Sequence, residues 1–62
     1  MSKWEDFIDD TLQYKRGYVV AYAEPDGQWH IWRGNVRLKE GVSSDHDQAQ
    51  HDALRALNTI RP

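Results

Sequence analysis

Three histidines, His30, His46 and His51, are the first residues in this sequence that could do chemistry. His46 and His51 are five positions apart, which puts them about 140° apart around a helix and makes a poor pair of metal ligands. Asp47 and His51 stand at i and i+4 and could share a metal, but two ligands on an open helix surface hold one weakly. A solvated polar face explains them better, and His46 falls on the apolar side of its predicted helix. Paired carboxylates occur at Asp9-Asp10 and at Asp45 and Asp47, again on predicted helix surfaces rather than in a cleft. There is no cysteine for nucleophilic or zinc chemistry. Ser43 and Ser44 read as helix caps, and neither glycine-rich phosphate-loop pattern is present. The expectation is a non-enzymatic chain with no cofactor and no metal.

The second chemical constellation is aromatic and basic. Tyr18, Tyr22, His30, Trp32, Arg37 and Lys39 lie within one stretch of the chain. Aromatic rings interleaved with cations can anchor a protein partner or stack nucleic-acid bases. Their use depends on the elements that hold them.

Tyr18 to Ala23 is rich in aromatic and β-branched residues, and Glu24-Pro25-Asp26-Gly27 ends it. Pro25 presets φ, Asp26 bonds its own backbone and Gly27 takes positive φ, so this is a turn. Gln28 to Arg33 reads as the next strand. Gly34-Asn35 fits a two-residue hairpin loop, and Val36 to Lys39 is the third strand, ended by Glu40-Gly41. A three-residue turn at 25–27 pairs Ala23 with Trp29, Ala21 with Ile31 and Val19 with Arg33. The Gly34-Asn35 loop pairs Arg33 with Val36 and Ile31 with Leu38. Because strand faces alternate with period two, Val19, Ala21, Ala23, Trp29, Ile31, Val36 and Leu38 form one apolar face. Tyr18, Val20, Tyr22, His30, Trp32, Arg37 and Lys39 form the other, the candidate partner-binding face.

Helices are expected on either side of this sheet. Ser2-Lys3-Trp4-Glu5 reads as a capping box. Trp4, Phe7, Ile8 and Leu12 then recur at helical spacing, acids crowd the first turns and Lys15-Arg16 close the last. The spacing predicts a helix from about Lys3 to Tyr14, with Gly17 just past its end. A second helix, capped by Ser43 or Ser44, carries Ala49, Ala53, Ala56, Leu57 and Ile60 as its apolar stripe, and Pro62 closes the chain. The expected fold class is α+β: a three-stranded antiparallel meander with an N-terminal and a C-terminal helix, α-β-β-β-α, as one small domain over 1–62.

The balance of eight Lys/Arg against ten Asp/Glu gives a formal charge of −2, but it is unevenly spread. Residues 1–10 and 40–62 are acidic, and residues 11–39 are basic, which reads as a basic sheet between acidic helices. The aromatic face is then either covered by the N-terminal helix, with its aspartates against Arg37 and Lys39, or left free. With 62 residues the chain buries only about 60% of its unfolded surface. Its seven aromatics, or self-association, must make up the difference. The longest apolar run, Tyr18 to Ala23, falls far short of the roughly 20 residues that span a bilayer. No leader pattern appears. A soluble cytoplasmic protein with no membrane partner is expected.

The α-β-β-β-α order resembles that of the double-stranded-RNA-binding domain. Glu24-Pro25-Asp26-Gly27 is similar to that family's turn between its first two strands, and Ser44 with the Ala49, Ala53, Ala56, Leu57 and Ile60 stripe is similar to its last helix. The resemblance covers most of the chain and implies fold more than RNA binding. Asp45-His46-Asp47-Gln48-Ala49 stands where the family carries a lysine cluster, and Gly27 stands where its turn carries a histidine. Two aspartates repel phosphate. The pattern also resembles small phage and prophage hairpin-plus-helix proteins. The functional expectation is a protein-binding or regulatory module acting through the aromatic-basic face or the acidic helices. RNA or single-stranded nucleic-acid binding through the same face is the alternative, and homodimerisation could accompany either.

Overall fold

The computed structural model of the chain describes residues 3–60. At its centre are two strands, β3 (Val19–Ala23) and β4 (Gln28–Arg33). The turn between them closes with Gly27 N–H donating to the Glu24 carbonyl at 3.0 Å and the Asp26 carboxylate accepting from the Gln28 N–H at 3.0 Å. Gly27 has φ +100°, and a Cβ there would run into the Ser43 carbonyl. The turn fixes the expected register: Ala23 pairs with Trp29, Ala21 with Ile31 and Val19 with Arg33.

The segment read as an N-terminal helix is instead a β-hairpin, which overturns the three-stranded, two-helix architecture. β1 (Glu5–Ile8) and β2 (Thr11–Arg16) pair antiparallel, and β2 pairs in turn with β3. Asp9 and Asp10 form the connection with φ of 48° and 64°. Two successive positive φ values make the two-residue turn whose twist matches paired strands, and aspartate tolerates that region better than most side chains. The acids that suited a helix dipole therefore serve as turn residues. Gly17, at φ +62°, joins β2 to β3 with Tyr18. Pairing with β2 also satisfies the backbone edge that β3 would otherwise leave open. The proposed Ser2 cap lies outside the described residues.

β5 (Val36–Val42) completes a five-stranded sheet in the order β1-β2-β3-β4-β5. It runs on past Lys39, where an end was expected, through Glu40 and Gly41. Arg33 pairs with Val36 as expected, but a bulge between Ile31 and Trp32 shifts the rest, so Ile31 meets Lys39 rather than Leu38. One helix follows, α1 (His46–Leu57). Its cap is Asp45, whose carboxylate accepts from Gln48 N–H at 2.8 Å, and not Ser43 or Ser44. Ser43 is occupied otherwise: its N–H donates to the Gly27 carbonyl at 2.7 Å, and its hydroxyl donates to Asp52.

The order is therefore β-β-β-β-β-α, a small α+β unit without the layout of the double-stranded-RNA-binding domain. The helix packs on β3, β4 and β5. Val19, Ala21, Ala23 and Ile31 of the sheet and Ala49, Ala53 and Leu57 of the helix are buried. Alanines on both surfaces permit close approach, so the largest fully buried side chains are Ile31 and Leu57. Aromatics do not make the centre of this core: Trp4, Tyr14 and Trp29 border it, while Phe7 and Tyr18 are exposed. Val36 and Leu38, expected in the core, are exposed as well.

Arg16 ties the sheet to the end of the helix. Its guanidinium donates to the carbonyls of Leu57 and Ile60 at 2.7 and 2.8 Å, and to Asn58 Oδ1 at 3.1 Å. A cation there adds a second donor to the Leu57 carbonyl, which also accepts from the Ile60 N–H at 3.0 Å, and complements the helix dipole. No helix among the described residues is long and apolar enough to cross a membrane.

Candidate functional site

The helix occupies one face of the sheet, and no helix among the described residues covers the other. Strand alternation places on this open face the side chains that do not serve the core. β3 contributes Val20 and Tyr22, β4 contributes His30 and Trp32, and β5 contributes Arg37 and Glu40, their cross-strand partners. Glu5, Gln13 and Lys15 continue the same face through β1 and β2. The bulge in β1 between Asp6 and Ile8 accompanies Phe7 onto this side, where its ring meets Tyr22.

These residues form a continuous stripe across the sheet. Phe7 and Tyr22 have ring centroids 5.1 Å apart, and Tyr22 stacks on His30 at 5.2 Å with an interplanar angle of 27°. His30 meets Trp32 edge-on, and the Arg37 guanidinium lies over the Trp32 ring at 4.9 Å. Arg37 in turn donates to Glu40 at 2.5 Å. A groove of about 370 Å³ runs beside the stripe, bordered by Phe7, Ile8, Tyr22, Glu24, His30 and Trp32 among others.

His30 is held from both sides. The Trp32 indole N–H donates to His30 Nδ1 at 2.6 Å. An indole nitrogen can only donate, so Nδ1 must be unprotonated and the proton of the neutral ring sits on Nε2. Nε2 lies 3.4 Å from the Glu24 carboxylate. The indole hydrogen bond occupies the Nδ1 lone pair and fixes Trp32 against His30.

Of the six residues expected on the partner face, Tyr22, His30, Trp32 and Arg37 come together. Tyr18 stands apart at the β2–β3 turn, 90% exposed. Lys39 is turned to the helix side by the β5 bulge, and its ammonium donates to Thr59 Oγ1 at 2.7 Å. Phe7, Glu24 and Glu40 join the site without having been expected there. The spacing of Phe7 from Trp4 and Ile8 also fits a helical stripe, and Glu40 beside Gly41 also fits a strand end, so only its spacing from Arg37 marks it.

His46 and Asp52 do structural work. His46 Nε2 lies 3.3 Å from the Ala23 carbonyl, at the join of helix and sheet. Asp52 accepts from the Ser43 hydroxyl at 2.5 Å and from the Gln48 amide at 3.0 Å, and these bonds, Ser43 first, hold its carboxyl below the ordinary aspartate range. No group of three or more His, Cys, Asp or Glu among the described residues could hold a metal ion. No known family, curated protein or solved structure matches the chain.

Proposed function

We propose that this chain is a small non-enzymatic binding module that docks a protein partner on the open face of its sheet. The carrying observation is the stripe from Phe7 through Tyr22, His30 and Trp32 to Arg37, on a face that the helix leaves uncovered. Aromatics and arginine are the side chains on which interface energy concentrates. Here they are oriented before any partner arrives, which lowers the entropy lost on binding. The contacts of His30 support binding over catalysis, because a general base needs a free lone pair within reach of its substrate and the Trp32 indole N–H occupies the one on Nδ1.

Charge placement favours protein over nucleic acid. Arg16 and Lys39 bond to the helix end rather than face the aromatics. Glu5, Glu24 and Glu40 border the stripe, and carboxylates there repel phosphate.

A photo-crosslinking residue placed at Gln13, on the open face, and at Arg55, on the helix, tests the reading in cells. Protein adducts are expected from position 13, lost when Trp32→Ala is added, with few from position 55. Equal labelling from both positions, or adducts indifferent to Trp32→Ala, would refute it. An RNA or DNA adduct from position 13 would replace it with the nucleic-acid alternative.

A further inference from the structure

The charges of this molecule segregate along its strands, not between sheet and helices. Toward the turns at 9–10 and 24–27 lie Asp6, Asp9, Asp10, Glu24 and Asp26, and the helix begins there with Asp45 and Asp47. Toward the turns at 17–18 and 34–35 lie Lys15, Arg16, Arg33 and Arg37, and the helix ends there with Arg55 in its last turn. On the open face this polarity is written in two adjacent rows. One runs Glu5, Gln13, Tyr22, His30, Glu40. The other runs Lys15, Val20, Trp32, Arg37.

Two such faces are complementary to each other in one arrangement. Turn a second copy about a two-fold axis that lies in the interface, perpendicular to the strands and between the two rows. Strand order is kept and strand direction is reversed, so each row of one copy lies on the opposite row of its partner. Glu40 then lies over Arg37 on both sides of the axis, and Gln13 lies over Lys15 with Glu5 one strand away from it. Tyr22 lies over Val20, and His30 over Trp32. A two-fold axis parallel to the strands through β3 would instead lay each row on itself, setting Glu40 on Glu5 and Lys15 on Trp32 with no base opposite either acid.

We propose that the partner of the open face is a second copy of this chain, docked face to face with strands reversed. The proposal rests on the reading of that face as a binding surface and names its occupant. A two-fold contact requires a self-complementary patch, and this face has one in both charge and ring placement. The Arg37–Glu40 pair within one chain is 51% and 62% exposed, and exposed pairs of this kind exchange partners readily because each contributes little alone. The edge of β5 does not compete as a self-pairing site. Lys39 and Arg37 along it, with its bulge, oppose strand addition by a second copy. A chain of this size also gains stability by covering a face through association.

Sedimentation equilibrium of the purified chain tests the proposal. At low salt the mass should approach that of two chains, and the association should weaken as salt rises from about 0.01 M to about 1 M. Arg37→Glu places acid over the partner's Glu40, and Glu40→Arg places base over Arg37. Each variant alone should bind itself at least about tenfold more weakly. An equimolar mixture of the two should regain the dimer, because every contact is again of opposite sign; circular dichroism establishes that both are folded.

A wild-type chain that stays monomeric at millimolar concentration and low salt would overturn the proposal. So would a dimer that Arg37→Glu leaves unchanged, or a mixture of folded variants that does not associate. The crosslinking outcome separates this failure from failure of the binding surface itself. Adducts from position 13 to a different protein, with a monomeric chain, leave the surface in place and remove the self-partner. A monomer without adducts removes both.

Discussion

The two faces of this sheet use the same alternation to opposite ends. On the helix side, small residues let α1 approach closely, and Ile31 and Leu57 fill the space between. On the other side, the same strands carry Tyr22, His30, Trp32 and Arg37, all partly or wholly exposed and held by directional contacts. The helix face derives its order from removing apolar area from water. The open face derives its order from stacking, one indole hydrogen bond and one guanidinium over a ring. Burial stabilises the fold without regard to direction, whereas directional contacts set positions while contributing less energy. A surface organised in the second way is suited to recognition.

That contrast breaks if substitutions on the two faces cost the same. Leu57→Ala should have the largest effect, a loss of about 2–5 kcal/mol in urea unfolding, because the side chain is fully enclosed. In a domain this small that loss leaves little of the native state. Arg16→Met should come next, at about 1.5–3 kcal/mol, since it removes charged hydrogen bonds to the Leu57 and Ile60 carbonyls. Its amide-exchange signature should be faster exchange confined to the last turn of α1.

Trp32→Ala should cost less than either, about 1 kcal/mol, the sum of partial burial and one exposed cation–π contact. A cost equal to that of Leu57→Ala would mean that the open face is a second core rather than a surface. Its larger effect should appear in association, and the unfolding cost is compared at a chain concentration low enough that association does not add to stability.

The smallest effect concerns acid. The Asp52 carboxyl is held below its ordinary value of 3.8, chiefly by the Ser43 hydroxyl. A depressed carboxylate contributes stability that is present above its unfolded value and lost as pH falls through the folded one. The midpoint difference between the native chain and Ser43→Ala should therefore be constant near neutrality. It should shrink as pH drops below 3.8, with no corresponding change in the Trp32 environment. A difference that persists in strong acid would place the Ser43 contribution elsewhere.

The centre of the fold was legible because local chemistry decides it. Pro25, Asp26 and Gly27 leave one turn available, and that turn sets the β3–β4 register on which Tyr22, His30 and Trp32 depend. The first sixteen residues were not legible in the same way. Trp4, Phe7, Ile8 and Leu12 satisfy a helical period, whereas Leu12, Tyr14 and Arg16 satisfy a strand period, and the two readings share their residues. Asp9 and Asp10 suit both a helix dipole and a turn with positive φ. The edge of β3 resolves the tie, since its backbone groups need a neighbour and β2 supplies one. Lys39 differs from its expected face for a related reason: one extra residue in β5 reverses every face after it, and a bulge leaves no certain mark in a sequence.

By itself the sequence determined the central hairpin, the C-terminal helix with its alanine stripe, and the grouping of Tyr22, His30, Trp32 and Arg37 on one face. Each follows from contacts between near neighbours, where turn geometry and side-chain period act directly. Only the tertiary structure decided that the N-terminal segment is a hairpin, that Phe7, Glu24 and Glu40 belong to the aromatic face, and that Arg16 and Lys39 serve the helix end. Those outcomes depend on pairing across the sheet and on the reach of side chains between layers. The free energy that selects them lies in contacts between residues far apart in the chain, which no local pattern contains.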